Sequence, residues 1–216
     1  MTLALYQPRR DVEPDSKRIT VRIARDLADL NLVTVIRSAV YLAEQDCPFE
    51  EEFDGNDLVA AHFIGFIGRE PVACLRVRFF GDFAKVERLA VRHQYRRSRV
   101  AFKLVRAAVE FVKRKGFRRI YGQAQDRLVD FWAHFGAKPL GHNRKLVFSD
   151  FTYTEMVLEL EPDPRAITMD SDPYVIIRPE GEWDEPGVLD RSSTRPASAP
   201  LREPAHRGER HAASGR

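Results

Sequence analysis

Apolar and polar residues follow regular patterns along most of the first 160 residues. Alternation over residues 18–23 predicts a strand, and apolar residues at helical spacing after Asp26 predict a helix over residues 27–44 with Asp26 as its N-cap. A long amphipathic helix is predicted to begin at Ser98, its N-cap, and to stop at Gly116. The other apolar segments predict strands at 60–67, 71–80, 85–91, 118–125 and 152–160 and a short helix at 128–135.

The order of these elements predicts the fold class and the domain boundaries. A strand, a helix, three strands, a helix, a strand, a helix and a final strand predict an α/β or α+β fold, with helices on both faces of a sheet. Residues 18–160 form the predicted domain, after a flexible arm at residues 1–17. The acidic segment 45–57 is predicted to be irregular. In the extension 161–216, a short segment at about 173–190 is predicted to dock on the domain, and the chain from Arg191 is predicted to be disordered.

Composition excludes several classes of protein. The chain has 216 residues, of which 44% are hydrophobic and 10% aromatic, enough for one domain core plus tails. Its two cysteines, Cys47 and Cys74, make no disulfide framework, which predicts a cytoplasmic location. Since no apolar run has membrane-spanning length and no signal-peptide core is present, no membrane association is predicted. The histidines lack metal-ligand spacing, so no metal site is predicted.

The most informative stretch is the strand, turn and helix over residues 86–117. Between Arg92 and Arg119 there are eleven lysines and arginines and a single acidic residue, Glu110. The first amides of a helix lack intrahelical partners, and the helix dipole favours negative charge at that end. The stretch therefore predicts an anion site for a phosphate or pyrophosphate. The alternative is a solvated helix that happens to be basic.

The order of these parts resembles the acyl-CoA-binding segment of the GNAT superfamily of N-acyltransferases. The strand reads VERLAV over residues 86–91, and the turn reads RRSRVA over residues 96–101, with the small Ala101 where the family has a small residue. Arg97 and Arg99 stand where the family has glycines. The resemblance implies a GNAT-like, mixed, mostly antiparallel sheet and acetyl-CoA or another acyl-CoA as co-substrate. It assigns donor binding to Leu89, Ala90, Val91, Arg96, Arg97, Ser98, Arg99, Val100 and Ala101.

A second resemblance concerns the acceptor. The segment from Arg37 through the acidic residues 44–57 to His62 looks like the substrate side of ElaA-like GNAT proteins, with a looser likeness to autoinducer synthases and N-acyl amino acid synthases. The resemblance implies that Arg37, Asp54 and Asp57 bind a small-molecule or peptide amine. Carboxylates attract a protonated amine, and arginine holds a carboxylate in a fork. The alternative is that both aspartates are turn residues and that Arg37 pairs with a neighbouring acid.

The resemblance also implies catalytic roles. Glu87, on the strand before the basic turn, is the implied general base; the alternative is a surface salt bridge to Lys85 or Arg88. Trp132 occupies the place where the family often has a tyrosine that protonates the leaving thiolate, and an indole cannot supply that proton. The thiolate then leaves unaided or is protonated by Tyr121 or Tyr153, of which we select Tyr121.

Three functional hypotheses follow. The first is a cytoplasmic, bacterial-type N-acyltransferase, by the resemblance an N-acetyltransferase, that transfers an acyl group from a CoA thioester to a primary amine by direct attack. A variant of this hypothesis takes the donor from an acyl carrier protein instead of CoA. The second hypothesis is a degenerate GNAT fold that binds a ligand or protein without turnover. The third, a nucleic-acid binder, is disfavoured because few aromatic residues interleave with the basic cluster. The sequence leaves the oligomeric state open.

Overall fold

One mixed sheet organises the part of the chain that the structure describes. The structure is a computed structural model, and it describes residues 17–142, 144 and 146–194. The strands are β1 (Ile19–Ile23), β2 (Ala61–Ile67), β3 (Glu70–Phe79), β4 (Ala84–Val91), β5 (Arg119–Gln125), β6 (Lys138–Pro139), β7 (Leu146–Phe148) and β8 (Phe151–Glu159). The α-helices are α1 (Leu27–Arg37), α2 (Ala43–Gln45), α3 (Phe49–Glu52), α4 (Val100–Arg114), α5 (Val129–Ala133) and α6 (Pro173–Ile176).

The strands lie in the order β1-β2-β3-β4-β5-β8-β6, and β7 also pairs with β8. All of these pairs are antiparallel except β4 with β5. The parallel pair is short, because only Ala84–Val86 of β4 aligns with residues 120–122 of β5. This break in the antiparallel order positions the candidate site described below.

Helix α1 covers one face of the sheet. Asp26 caps it, accepting a hydrogen bond of 2.8 Å from the amide of Asp29. The helix continues through a π-helical turn, Ser38–Leu42, into α2, so the predicted helix over residues 27–44 is present but changes its hydrogen-bonding pattern part-way. Such π-helical turns are frequent at functional sites. The buried side chains on this face of the sheet are Val33, Ile36, Val40, Ile64, Cys74 and Ala90.

Helix α4 covers the opposite face. Phe111 packs edge-on against Phe63 of β2, with ring centroids 5.4 Å apart. The helix lies so close to β2 that a Cβ added to Gly65 would meet Val100 at 2.6 Å, so glycine is required there. The buried residues of α4 recur at helical spacing: Val100, Leu104, Val105, Ala108, Phe111 and Val112. The sheet with helices on both faces agrees with the predicted fold class.

The chain divides into two compact units between Ser171 and Asp172. In the second unit, Asp172 caps α6 by accepting from the amide of Tyr174 at 2.8 Å. Arg178 donates to the Trp183 carbonyl at 2.6 Å and pairs with Asp190 at 2.7 Å. The docking of this segment on the domain stays a prediction. Residues 190–194 form a 3₁₀ helix, while the arm up to residue 16 and the tail from residue 195 lie outside the described residues.

Some local predictions were wrong. The acidic segment 45–57 contains helix α3 and leads into a 3₁₀ helix, Asp57–Val59, because the carboxylates of Glu52 and Asp57 are bound by arginines that hold the backbone in place. Ser98 is not the N-cap of α4; the cap is Arg99, with Ser98 one residue before it. The short strands β6 and β7 lack an alternating pattern long enough to reveal them.

Replacing Leu104 with alanine should lower the free energy of unfolding by about 2–5 kcal/mol. The Leu104 side chain is fully buried between α4 and the sheet, and the surrounding side chains would close only partly around the cavity that the substitution leaves. Leu58→Ala is the matched control, since Leu58 is 84% exposed, and should change stability by less than about 0.5 kcal/mol. Urea denaturation monitored by circular dichroism measures both. Equal midpoints for the two variants would show that Leu104 does not lie in the core.

Candidate active site

A cleft opens where strands β4 and β5 part. Their pairing ends at Val86 and Gly122, and no further pair joins the two strands in the described part of the chain. On its other side β4 carries a register shift against β3, and Arg88 at this irregularity has φ of 53°, which is uncommon for a residue other than glycine. The hydroxyl of Tyr41, from the π-helical turn, donates to the Leu89 carbonyl at 3.0 Å. The irregular backbone of β4 is therefore held from the α1 side.

The cleft leads into a cavity of about 630 Å³. Its walls come from β4, the head of α4, β5, α5, the segment 45–54 and the β7–β8 hairpin. Five of the nine predicted donor-binding residues line it: Leu89, Val91, Arg96, Ser98 and Ala101. The remaining four do not. Ala90 and Val100 are buried in the packed core, and Arg97 and Arg99 are exposed.

The turn before α4 keeps amide groups available at the helix N-terminus. The Ser98 hydroxyl donates to the Tyr95 carbonyl at 2.7 Å and accepts a long hydrogen bond of 3.4 Å from the amide of Val100. The side chain of the N-cap residue, Arg99, makes no capping bond. First-turn amides without intrahelical partners, in a fifteen-residue helix whose dipole is positive at this end, suit a phosphate.

The two arginines at the family's glycine positions leave the backbone unstrained. Arg99 has φ of −87°, and Arg97 is not among the described residues with positive φ. Their side chains have no hydrogen-bond or ion-pair partner among the described residues. Arg96 differs, since it pairs with Glu44 and donates to the Val91 carbonyl at 3.2 Å. An arginine at position 97 or 99 therefore neither distorts the turn nor fills the cavity.

Beside the cavity lies a network of five cations and four carboxylates. Its centre is Arg76, whose side chain is fully buried and donates to Glu87 at 2.9 Å, to Asp57 at 2.7 Å and to Asp54 at 2.9 and 2.5 Å. Arg37, also buried, pairs with Glu52 and with Asp57 at 2.6 Å. The network therefore joins the acidic segment 52–57 to the sheet.

Three further cations complete the network at its edge. Arg88 lies 3.1 Å from Glu52 and 3.3 Å from Asp54. Lys85 lies 2.7 Å and Arg78 3.8 Å from Glu87. The structure thus brings together the predicted residues Arg37, Asp54, Asp57 and Glu87, but only Asp54 and Glu87 line the cavity. Arg37 and Asp57 bond to other protein groups behind it.

Sequence reasoning missed Arg76. The available signal was the pair Arg76 and Arg78, two arginines at alternate positions of an otherwise apolar strand. On a strand covered by helices, a cation inside such a run requires a buried acid as its partner.

The network changes the pKa values of Asp54 and Asp57 and of the neighbouring His62. Burial acts to raise the pKa of Asp54, but hydrogen bonds from Arg76 and from the Asn56 amide outweigh burial and hold it well below its usual range. The pKa of Asp57 is likewise lowered, because Arg76 and Arg37 outweigh the effect of burial. Burial lowers the pKa of His62, whose Nε2 lies 2.9 Å from the Asp57 carbonyl. Both aspartates are therefore ionised at neutral pH.

The two tyrosines considered as proton donors lie in different places. Tyr121 does not line the cavity; its hydroxyl donates to Glu155 at 2.8 Å, and burial together with this carboxylate raises its pKa to about 12. Tyr153 does line the cavity, and its hydroxyl accepts a hydrogen bond of 3.2 Å from Gln125. Trp132 also lines the cavity, with its ring 5.4 Å from that of Phe131. Position in the cavity favours Tyr153 over our selection, Tyr121, as the proton donor.

Comparison with known proteins gives the family. The profile of the Acetyltransferase (GNAT) family matches residues 30–137, half of the chain. The chain belongs to this family.

Curated relatives and experimental structures agree. YyaT of Bacillus subtilis (strain 168), an uncharacterized protein, is 32% identical over 114 residues, which are 50% of this chain and 74% of YyaT. YjcF of the same strain, named an uncharacterized N-acetyltransferase, is 27% identical over 57% of this chain and 89% of its own. The crystal structure of Escherichia coli ElaA superposes with a TM-score of 0.58 at 23% identity, covering 66% of this chain and all of ElaA. The GNAT fold predicted from the strand-turn-helix segment is confirmed.

None of the helices in the described residues is both long and apolar enough to cross a membrane. In the same part of the chain, no group of three or more histidine, cysteine or acidic side chains is arranged to hold a metal ion.

Asp54→Asn should lower stability at neutral pH, because it removes a carboxylate that Arg76 binds. The folded pKa of Asp54 lies below its unfolded value of about 3.9, so its contribution is complete above that pH and is lost as pH falls through the folded pKa. The gap between the urea midpoints of the native protein and the variant should therefore narrow below about pH 4. Asp46→Asn, at an exposed left-handed position that asparagine tolerates, is the control. A gap independent of pH between 3 and 7 would contradict the ion pairing.

Proposed function

We propose that this protein is an acyl-CoA-dependent N-acyltransferase that transfers an acetyl or other acyl group from the CoA thioester to a primary amine by direct attack. The observation that carries the proposal is the cavity of about 630 Å³ at the parted strands, which has the head of α4 on one side and the carboxylates of Asp54 and Glu87 on the other. The family, and the relative YjcF, which is named an uncharacterized N-acetyltransferase, support the same reaction class.

The donor side of the proposal rests on backbone groups. Beyond Val86, strand β4 has no strand partner on the β5 side among the described residues. Tyr41 and Arg96 already donate to the Leu89 and Val91 carbonyls, so the remaining backbone groups of this segment would bind the amides of a pantetheine arm. The first-turn amides of α4 would bind the pyrophosphate. Arg97 and Arg99, exposed and without partners among the described residues, would add side-chain charge at the same end.

The acceptor side uses the carboxylates that line the cavity. A protonated amine is attracted by Asp54 and Glu87, and it must lose a proton before its nitrogen can attack. Glu87 takes that proton, directly or through a water molecule, while Arg76 and Lys85 hold its carboxylate in place. Arg37 and Asp57 act as positioning residues, because they hold the segment that carries Asp54 rather than reaching into the cavity.

The bonds and protons balance along this path. The neutral amine nitrogen forms a bond to the thioester carbonyl carbon. The resulting tetrahedral intermediate loses its second nitrogen proton to solvent, and its C–S bond breaks to expel the CoA thiolate. The products are an amide and CoA, whose sulfur takes a proton from Tyr153 or from solvent. A CoA thiolate is a good leaving group on its own, so the reaction depends more on deprotonation of the amine than on an acid at Tyr153.

One observation favours a second candidate for the donor. The exposed arginines at positions 97 and 99 lie at the head of α4 beside Lys103 and Arg106, on a face that would suit an acidic acyl carrier protein. Its phosphopantetheine arm would enter the same cleft. The chemistry at Glu87 would be unchanged.

Glu87→Gln keeps the size of the side chain but cannot accept a proton. With an amine acceptor the rate should fall by about a hundredfold or more, and the loss should shrink at high pH, where the amine is already neutral. A pH profile of kcat from thiol release measures this. Glu110→Gln on the exposed face of α4 is the control, with no expected change. A full rate for Glu87→Gln at pH 7 would remove Glu87 from the mechanism.

Calorimetric titration with CoA and with an acyl carrier protein separates the two donors. If free CoA is the donor, the native protein binds it, and the Arg97→Ala/Arg99→Ala variant binds it about two- to tenfold more weakly, as expected for exposed charges. Arg69→Ala, in the β2–β3 turn, is the control. Binding of the carrier protein alone, steeply weakened by salt, would instead support the second candidate. Binding of neither would overturn the acyltransferase proposal in favour of a non-catalytic module.

A further inference from the structure

A second, smaller cavity lies between helix α4 and the sheet. Its volume is about 20 Å³, and its walls are formed by residues of β4, α4, β5, α5 and β8 and by Ala137. Gln123 is the one polar residue among them; the others are apolar side chains and Gly122. A space of this size holds about one methyl-sized group. Since almost no polar group faces it, an apolar group is the occupant it favours.

The small cavity adjoins the main one where the cleft closes. The two cavities share Val86, Gln123, Ala124 and Trp132 as wall residues. Val86 pairs with Gly122 at the last position before β4 and β5 part, and it directly precedes Glu87. The small cavity is therefore next to the place where an acyl carbonyl and an amine would meet.

We infer that the small cavity receives the end of the donor's acyl group, so that the protein prefers a short, unbranched acyl group of about three or four carbons. The inference rests on the proposed function, since it needs the thioester in the main cavity. An acetyl group would end before the small cavity and leave it empty. A long chain would exceed its volume and require the core between α4 and the sheet to open.

Trp132 acquires a role in this arrangement. By the resemblance it stands where the family often has a tyrosine, and it lines both cavities. The indole donates a hydrogen bond but supplies no proton to a thiolate. Its ring is held by Phe131 at 5.4 Å and Phe135 at 6.4 Å. Trp132 is thus a specificity-determining wall for the acyl group.

Calorimetric titration of the full chain with CoA, acetyl-CoA, butyryl-CoA and octanoyl-CoA tests the inference without relying on turnover. Each buried methylene contributes about 0.8 kcal/mol, or about fourfold in affinity, so butyryl-CoA should bind about tenfold more tightly than acetyl-CoA. Octanoyl-CoA should gain nothing over butyryl-CoA.

Gly122→Ala places one methyl group at the wall of the small cavity. The added Cβ would lie 3.4 Å from the Val86 carbonyl oxygen, and the position has no positive φ, so the backbone accepts it. The ratio of acetyl to butyryl dissociation constants should fall from about tenfold to about twofold. Gly81→Ala is the matched control, because nothing lies within 4 Å of its added Cβ, and the ratio should be unchanged. Val109→Leu, which fills the cavity from α4, replaces Gly122→Ala if the latter does not fold.

The outcomes are distinct. Equal affinity of the native protein for acetyl-CoA and butyryl-CoA, with both bound, overturns the acyl-end inference and leaves the proposed function standing. A tenfold preference that survives both cavity-filling variants overturns it as well, as does octanoyl-CoA binding far more tightly than butyryl-CoA. Failure to bind CoA or any of its esters overturns the proposed function and, with it, this inference.

Discussion

The buried guanidinium of Arg76 is the interaction on which the site depends. An unpaired cation in a protein interior costs several kcal/mol, so strand β3 can carry this side chain only if carboxylates meet it there. Three do: Glu87 from the next strand, and Asp54 and Asp57 from a segment with little regular structure. Removing one partner of such a group is strongly destabilising, about 3–5 kcal/mol, because the remaining charges stay buried. The acidic segment is thus fixed by charge rather than by apolar packing.

The same constraint connects the network to the cleft. Glu87 belongs both to the network and to the wall of the cavity, on the strand whose pairing with β5 stops one residue earlier. Tyr41 adds a second support, bonding the Leu89 carbonyl from a π-helical turn of the α1 layer. The irregular strand β4 therefore has its geometry set from one side by charge and a buried hydroxyl. On the side that faces β5, strand β4 borders the cavity beyond Val86.

Much of the fold could be predicted from the sequence, and the site only in part. The strands and helix α4 follow from periodicity, because burial on one face dictates which positions are apolar. Helix α3 could not be predicted, since its ordering comes from Arg37 and Arg88 reaching Glu52 across the fold rather than from neighbours in sequence. Arg76 was missed for the same reason. The partner of Arg76 is known only from the strand register, which places Glu87 opposite to it.

The arginines at the family's glycine positions in the donor turn argue less strongly against donor binding than the sequence alone suggests. Glycine is required where the backbone has positive φ, and neither Arg97 nor Arg99 has one. Both side chains are exposed and neither lines the cavity. A degenerate, non-catalytic fold would be indicated by a collapsed cleft or a filled helix N-terminus. The cleft is open, the N-cap residue of α4 makes no side-chain capping bond, and Glu87 of β4 lines the cavity. The replacement of tyrosine by Trp132 is the departure with a chemical consequence, because it exchanges a proton donor for an apolar wall. In the proposed mechanism the reaction then depends on Glu87 for deprotonation of the amine, and Trp132 would act on the choice of acyl group.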